Sequence, residues 1–127
     1  MEQLLRDFTL EFCGNGEYKT TPISFFQQQK GILLDVRTKE EFASLSIHLE
    51  LHDNIESKNI PVSKIPDKFE EIPQNILVAI FCPGSIRASF VYAFLYSKGF
   101  RNIKILTGGY LALTEALSSS KICKIVK

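Results

Sequence analysis

Apolar positions along the 127-residue chain come in two textures, short unbroken runs and longer stretches of helical spacing, and the two alternate. "GILLDV" (31–36) and "NILVAIF" (75–81) are brief and rich in Ile, Leu and Val, as strands covered on both faces of a parallel sheet should be. "NIKIL" (102–106) reads as a third strand. Ahead of the first strand, "TTPISFFQQQKG" offers Thr21 as a helix cap, Pro22 for the first turn and Gly31 for the end. After it, "TKEEFASL" begins with Thr38 as a cap and places Glu41 three residues on, the spacing of a capping box. "VSKIPDKFEEI" predicts another short helix, with Pro66 at its start. From Ile86 to Lys98, apolar residues at 86, 90, 91, 94 and 95 predict an amphipathic helix stopped by Gly99, and "GYLALTEAL" repeats the pattern. Strands alternating with helices imply right-handed crossovers and an α/β architecture, a central and mostly parallel sheet with helices on both faces. Chemistry in such sheets gathers at the carboxyl ends of the strands, and Cys82 sits at one.

Composition narrows the functional classes. A hydrophobic content of 45% and a formal net charge of +1 suit one domain with one sizeable core. Nucleic-acid binders usually carry a clustered basic excess, so balanced charge argues against that partner. No apolar run approaches the roughly 18 residues that span a bilayer, and "MEQLLRDF" lacks the basic-then-apolar layout of a signal peptide. The expectation is a cytoplasmic protein without a membrane partner. Cys13, Cys82 and Cys123 are odd in number and irregularly spaced, which suits neither a disulfide framework nor a CxxC zinc site.

The stretch "AIFCPGSIRAS" (79–89) places a thiol at the end of a buried strand and an arginine five residues later. A turn leading from strand to helix aims successive backbone N–H groups into one concavity, where they and the helix N-terminus favour negative charge. Arg87, in the first helical turn, adds a permanent positive charge, so the loop is expected to stabilise a thiolate on Cys82. Pro83 has no N–H to give, which leaves Gly84, Ser85, Ile86 and Arg87 as the expected donors. The plain alternative is a small core cysteine beside a turn-forming glycine.

"LLDVRTKEEF" (33–42), "KNIPVSKI" (58–65), "FCPGSIRAS" (81–89) and "YSKGFRNIKILTGGYLAL" (96–113) together resemble the successive signatures of a rhodanese, a sulfurtransferase domain. The resemblance implies a single rhodanese domain over residues 1–127, with its core at about 17–117, an N-terminal arm at 1–16 and a basic C-terminal tail at 118–127. It also implies that Cys82 accepts a sulfane sulfur from thiosulfate or a persulfide, small or protein-bound, holds it as a persulfide and hands it to a thiol acceptor. Pro83, Gly84, Ser85, Ile86 and Arg87 would form the substrate-binding loop, and Asp35 and Arg37 would orient it by ion pairing. Neither metal nor organic cofactor is implied, and the assembly expected is a monomer or weak dimer.

The departures from the family pattern are specific. Family loops often read C-x-x-G-x-R, whereas here the glycine comes one place early and Ser85 stands at the second bend. The usual "GHIPGA" is replaced by the longer "ASLSIHLELHDNIESK", in which His52 is the candidate for the family histidine. Leu113 stands near the place of a tryptophan often found after the double glycine Gly108-Gly109.

Other residues admit plainer readings. Asp35 and Arg37 could be a solvated pair in an ordinary βα turn. His48, Glu50, His52 and Asp53 superficially suit zinc, but the segment lacks a helical start and a further ligand at helical spacing, so a solvated loop is expected. Cys13, before the turn Gly14-Asn15-Gly16, reads as structural or idle. Cys123 lies in "KICKIVK", after the break Ser118-Ser119-Ser120, a packed end segment with solvated lysines or a docking tail for an acidic partner. Three functional classes follow: a sulfurtransferase, a cysteine-dependent phosphatase, and a binding module that kept the fold without turnover. Phosphatase loops of this kind place five residues between cysteine and arginine, whereas Cys82 and Arg87 enclose four, a ring better suited to one terminal sulfur than to three phosphate oxygens.

Overall fold

A computed structural model describes residues 2–9, 16–44 and 54–126, with side chains up to 118 in the last helix. The elements in chain order are α1 (Glu2–Asp7), β1 (Lys19–Thr20), α2 (Pro22–Phe26), β2 (Gly31–Asp35), α3 (Lys39–Ser44), β3 (Ile55–Asn59), α4 (Ile65–Lys68), β4 (Leu77–Phe81), α5 (Ile86–Ser97), β5 (Ile103–Leu106) and α6 (Gly109–Val126). Single 3-10 turns at Val62–Lys64 and Phe69–Glu71 flank α4. The five strands form one sheet in the order β1-β5-β4-β2-β3, and every neighbouring pair is parallel.

The three apolar runs become the three inner strands for the reason the pattern suggested. β2 and β4 are covered on both faces, and alternate residues supply two separate cores. Ile32, Leu34, Val78 and Ile80 face the side of α5, where Ala88, Val91, Tyr92 and Leu95 meet them. Leu33, Ala79 and Phe81 face the other side, against Phe25 and Phe26 of α2 and Leu113 and Ala116 of α6. This alternation puts Cys82 in the α5-side core and Phe81 in the α6-side core.

Capping chemistry holds where it was read. The Ser24 N–H donates to Thr21 Oγ1 at 3.2 Å, with Pro22 in the first turn of α2. The α3 box is reciprocal: the Glu41 N–H donates to Thr38 Oγ1 and the Thr38 N–H to Glu41 Oε1, each at 3.1 Å. Pro66 falls in the first turn of α4 as expected.

Three expectations need correction. Gly31 does not end α2, which stops at Phe26; it opens β2, and it is a glycine because a Cβ there would sit 2.8 Å from the Phe25 ring. The α5 face is rotated from the predicted one: Ile86 and Phe90 are 71% and 66% exposed, while the buried arc runs through Ala88, Val91, Tyr92, Leu95 and Tyr96. The loop before α5 sets that phase by bringing Ala88 over the Cys82 sulfur. The serine run at 118–120 does not interrupt α6, whose backbone continues to Val126.

β1, β3 and α1 carry no apolar run. β1 and β3 are the sheet edges, and "IESKN" of β3 is buried only at Ile55. α1 lies on α5 through buried Leu4 and a hydrogen bond from the Tyr96 hydroxyl to Asp7. No described helix is long and apolar enough to cross a membrane. The contact at Gly31 yields a prediction: Gly31→Ala should cost about 1–3 kcal/mol through overpacking against Phe25, read as a lower urea midpoint at unchanged m-value.

Candidate functional site

Strand register brings three chain segments to one level at the carboxyl edge of the sheet. Asp35 at the end of β2 lies beside Phe81 of β4 on one side and Asn59 of β3 on the other. Beyond this line β2 continues through Val36, whose N–H donates to the Phe81 carbonyl at 3.1 Å, and Asn59 Nδ2 donates to the carbonyls of Asp35 and Arg37 at 2.9 and 3.1 Å.

Asp35 and Arg37 are both fully buried, which overturns the alternative of a solvated pair. Arg37 Nε donates to Asp35 Oδ1 and Oδ2 at 2.9 and 3.0 Å, and Nη2 donates to Oδ2 at 2.6 Å. The Arg37 backbone N–H donates to Oδ1 at 3.1 Å, and Nη1 to the Tyr110 hydroxyl at 3.2 Å. The guanidinium also lies 5.5 Å from the ring centres of Phe81 and Tyr110, and 5.9 Å from that of Phe42. Hydrogen bonding to Asp35 raises the affinity of Arg37 for its proton above the ordinary arginine value, against the cost of burial.

Cys82 follows directly on this platform. It is 1% exposed, and the Ala88 N–H donates to its Sγ at 3.2 Å. The donor that reaches sulfur is therefore one residue beyond the four expected ones, because the loop carries the thiol under the first turn of α5. Ser85 takes the left-handed conformation, at φ 66°. It is the sole described non-glycine residue with positive φ, and its side chain makes no capping hydrogen bond. Its carbonyl instead accepts from the N–H and hydroxyl of Ser89, at 3.0 and 2.8 Å. Gly84 would meet nothing within 4 Å if it carried a Cβ. The glycine of this loop thus stands one place before the residue whose backbone needs one.

The back of the loop rests on the start of α6. A Cβ on Gly109, whose φ is +59°, would lie 2.5 Å from the Pro83 carbonyl oxygen, so the close approach requires glycine there. Tyr110 follows, stacked edge-on to Phe81 at 5.6 Å between ring centres.

Arg87 does not stand free beside Cys82. Its Nη1 donates to Glu41 Oε1 at 2.6 Å and its Nη2 to Oε2 at 3.1 Å, with about a third of each side chain exposed. Hydrogen bonds from Arg87, and then from the Thr38 backbone, hold the Glu41 carboxyl at about 2, so the pair stays ionised at neutral pH. Arg87 is raised in turn, first by its hydrogen bond to Glu41 and to a lesser degree by the nearby Cys82. The sequence predicted Glu41 only as a cap. Glu41, Asn59 and Tyr110 are additions from the fold, and for the 46-residue step from Glu41 to Arg87 no local signal exists.

His48, Glu50, His52, Asp53 and Cys13 lie outside the described residues, as does the side chain of Cys123. Among the described residues no three His, Cys, Asp or Glu side chains converge as metal ligands would. A cavity of about 780 Å³ opens at the amino edge of the sheet near Lys19, Lys30, Leu77 and Lys104, at the end opposite Cys82.

A parallel α/β sheet with a cysteine loop between its central strand and a covering helix defines a class of thiol-bearing domains, and comparison with known proteins gives its family. Residues 24–116 match the family model for the rhodanese-like domain. The chain belongs to the rhodanese-like family. It is 30% identical over 81 residues to a sulfurtransferase of Allochromatium vinosum, covering 64% of this chain and 69% of that protein. It is 31% identical over 74 residues to a tRNA sulfurtransferase of Blochmanniella pennsylvanica, a match covering 58% of this chain and 15% of that much longer protein. Among solved structures, a rhodanese-related protein of Thermoplasma volcanium superposes with a TM-score of 0.63 at 26% identity, over 76% of this chain and 90% of that one. The family is thus a sulfurtransferase family by its relatives' names, and the expected rhodanese-like α/β fold is the one observed.

Three substitutions test the site's construction. Asp35→Asn leaves a buried guanidinium without its carboxylate and should cost about 3–5 kcal/mol in chemical denaturation. Ser85→Gly should raise stability by roughly 1 kcal/mol by relieving the left-handed strain, while Gly84→Ala should change it little, both read by thermal unfolding.

Proposed function

We propose that this domain is a sulfurtransferase that carries sulfane sulfur on Cys82, taking it from thiosulfate or a persulfide and passing it to a thiol. The observation that carries the reading is the Cys82 sulfur at the carboxyl end of β4, under the first turn of α5 and hydrogen-bonded by the Ala88 N–H. A site of this form stabilises negative charge on sulfur through backbone dipoles that are fixed before any substrate arrives.

In the first half-reaction the Cys82 thiolate attacks the terminal sulfur of the donor. A new S–S bond forms, the donor's own S–S bond breaks, and its electron pair leaves on sulfite or on the donor thiolate. Cys82 then carries a terminal sulfur with the negative charge. In the second half-reaction an acceptor thiolate attacks that sulfur, and the Cys82 thiolate leaves. No net oxidation or reduction occurs, and each step exchanges one sulfur nucleophile for another. The Ala88 N–H serves the attacking and the departing thiolate alike. Pro83, Gly84, Ser85, Ile86 and Arg87 form the wall around the terminal sulfur, and Asp35 and Arg37 hold the platform beneath it.

The four-residue interval between Cys82 and Arg87 favours this reading over phosphate-ester hydrolysis, because each residue removed from such a loop narrows the ring of donors. A doubly charged phosphate would also be poorly served by an arginine that already carries a carboxylate.

The decisive measurement is mass spectrometry after exposure to thiosulfate or glutathione persulfide, with turnover assays beside it. One added sulfur should appear on the Cys82 peptide, and Cys82→Ser should abolish transfer at an unchanged fold. Transfer retained in that variant, with the adduct on Cys13 or Cys123, would overturn the assignment. Aryl phosphate hydrolysis dependent on Cys82 without sulfur transfer would make it a phosphatase, and the absence of any adduct would make it a binding module.

A further inference from the structure

We infer that Glu41 sets the charge preference of this site by neutralising Arg87, so that the site disfavours the thiosulfate dianion relative to a singly charged persulfide. The inference takes its choice of donors from the sulfurtransferase reading above, but the electrostatic role itself is a property of the loop.

Three observations carry it. Arg87 is the sole charged residue of the segment 82–87; its companions Pro83, Gly84, Ser85 and Ile86 bring no cation, and Ile86 is 71% exposed as an apolar rim. That one cation is held by both oxygens of Glu41, at 2.6 and 3.1 Å, so the pair as a whole is neutral. The other arginine of the platform, Arg37, is fully buried and equally cancelled by Asp35. An incoming anion at Cys82 therefore meets the Ala88 N–H and an Arg87 already paired with Glu41, with no uncompensated positive charge on either arginine. Fixed dipoles can serve one negative charge, whereas each further charge needs a counter-charge when it leaves water.

Glu41 is placed to do this by its own helix. The capping box with Thr38 fixes its first turn, and the same Oε1 that accepts from the Thr38 N–H also accepts from Arg87. Glu41 bonds to Arg87 through both of its carboxylate oxygens. It is a positioning residue that acts through Arg87.

Glu41→Gln tests the inference with little structural disturbance, because glutamine also completes a capping box and its amide oxygen can still accept from Arg87. One readout needs no turnover: the rate of Cys82 alkylation by iodoacetate, an anion, divided by that for neutral iodoacetamide, scored on the Cys82 peptide. Glu41→Gln should raise this ratio at least about threefold at low salt, and the double variant Glu41→Gln/Arg87→Gln should return it to the wild-type value or below. The kcat/KM ratio of thiosulfate to 2-hydroxyethyl persulfide should rise in parallel. An unmoved alkylation ratio, or one that rises equally in the double variant, would overturn the role of Glu41 even if sulfur transfer is confirmed. A raised ratio in a protein that forms no Cys82 persulfide would keep the electrostatic role and remove the sulfurtransferase reading. A Cys82 that neither reagent reaches would overturn both.

Discussion

The buried ion pair of Asp35 and Arg37 is the interaction on which the carboxyl edge of the sheet depends. A guanidinium with no solvent exposure is costly unless it is paired, hydrogen-bonded and packed. Arg37 meets all three conditions at once, through Asp35, the Tyr110 hydroxyl and the rings of Phe81, Tyr110 and Phe42. Because those partners come from β2, α3, β4 and α6, the pair cannot be satisfied unless the elements are in place together. Asn59 completes the arrangement from β3 by taking up the carbonyls of Asp35 and Arg37.

The cysteine loop is built outward from this platform. Phe81 faces Arg37 while Cys82, one residue on, faces α5, so the alternation of a strand delivers the thiol to the opposite core. From below, Gly109 lets the Pro83 carbonyl approach α6. From above, Ala88 reaches the sulfur. The loop's strain sits at Ser85, whose left-handed backbone has no side-chain bond to offset it. Residues held in such conformations cost of order 1–3 kcal/mol and persist where the surroundings over-determine them. Here the surroundings are Gly109 on one side and the Ser85 carbonyl's two bonds to Ser89 on the other.

Charge at the site is present but balanced. Two arginines lie at the carboxyl edge of the sheet, Arg37 on the Phe81 side and Arg87 near the thiol, and each is tied to its own carboxylate. What the structure shows directed at the sulfur is the Ala88 N–H, a fixed donor whose strength lies in needing no reorganisation. Such an arrangement suits one negative charge better than several, since each further charge would need a counter-charge on leaving water.

The inner strands, the capping residues and the position of Cys82 were legible in the sequence, because each depends on local order: unbroken apolar runs, cap spacings and a strand-to-helix turn. The loop from Pro83 to Arg87 was read from its strand-to-helix turn, and Asp35 and Arg37 were picked out by their resemblance to family signatures. The edge strands were invisible, since β3 is mostly exposed and carries polar residues that no apolar pattern marks. The face of α5 was misjudged because the phase of a helix is set by how the preceding loop delivers it, and here Ile86 and Phe90 turn outward. The bond from Ala88 to sulfur, the union of Glu41 with Arg87 and the reach of Tyr110 to Arg37 were decided by the tertiary structure alone. A sequence states which charges exist, but which charge cancels which depends on distances that only the packed chain supplies.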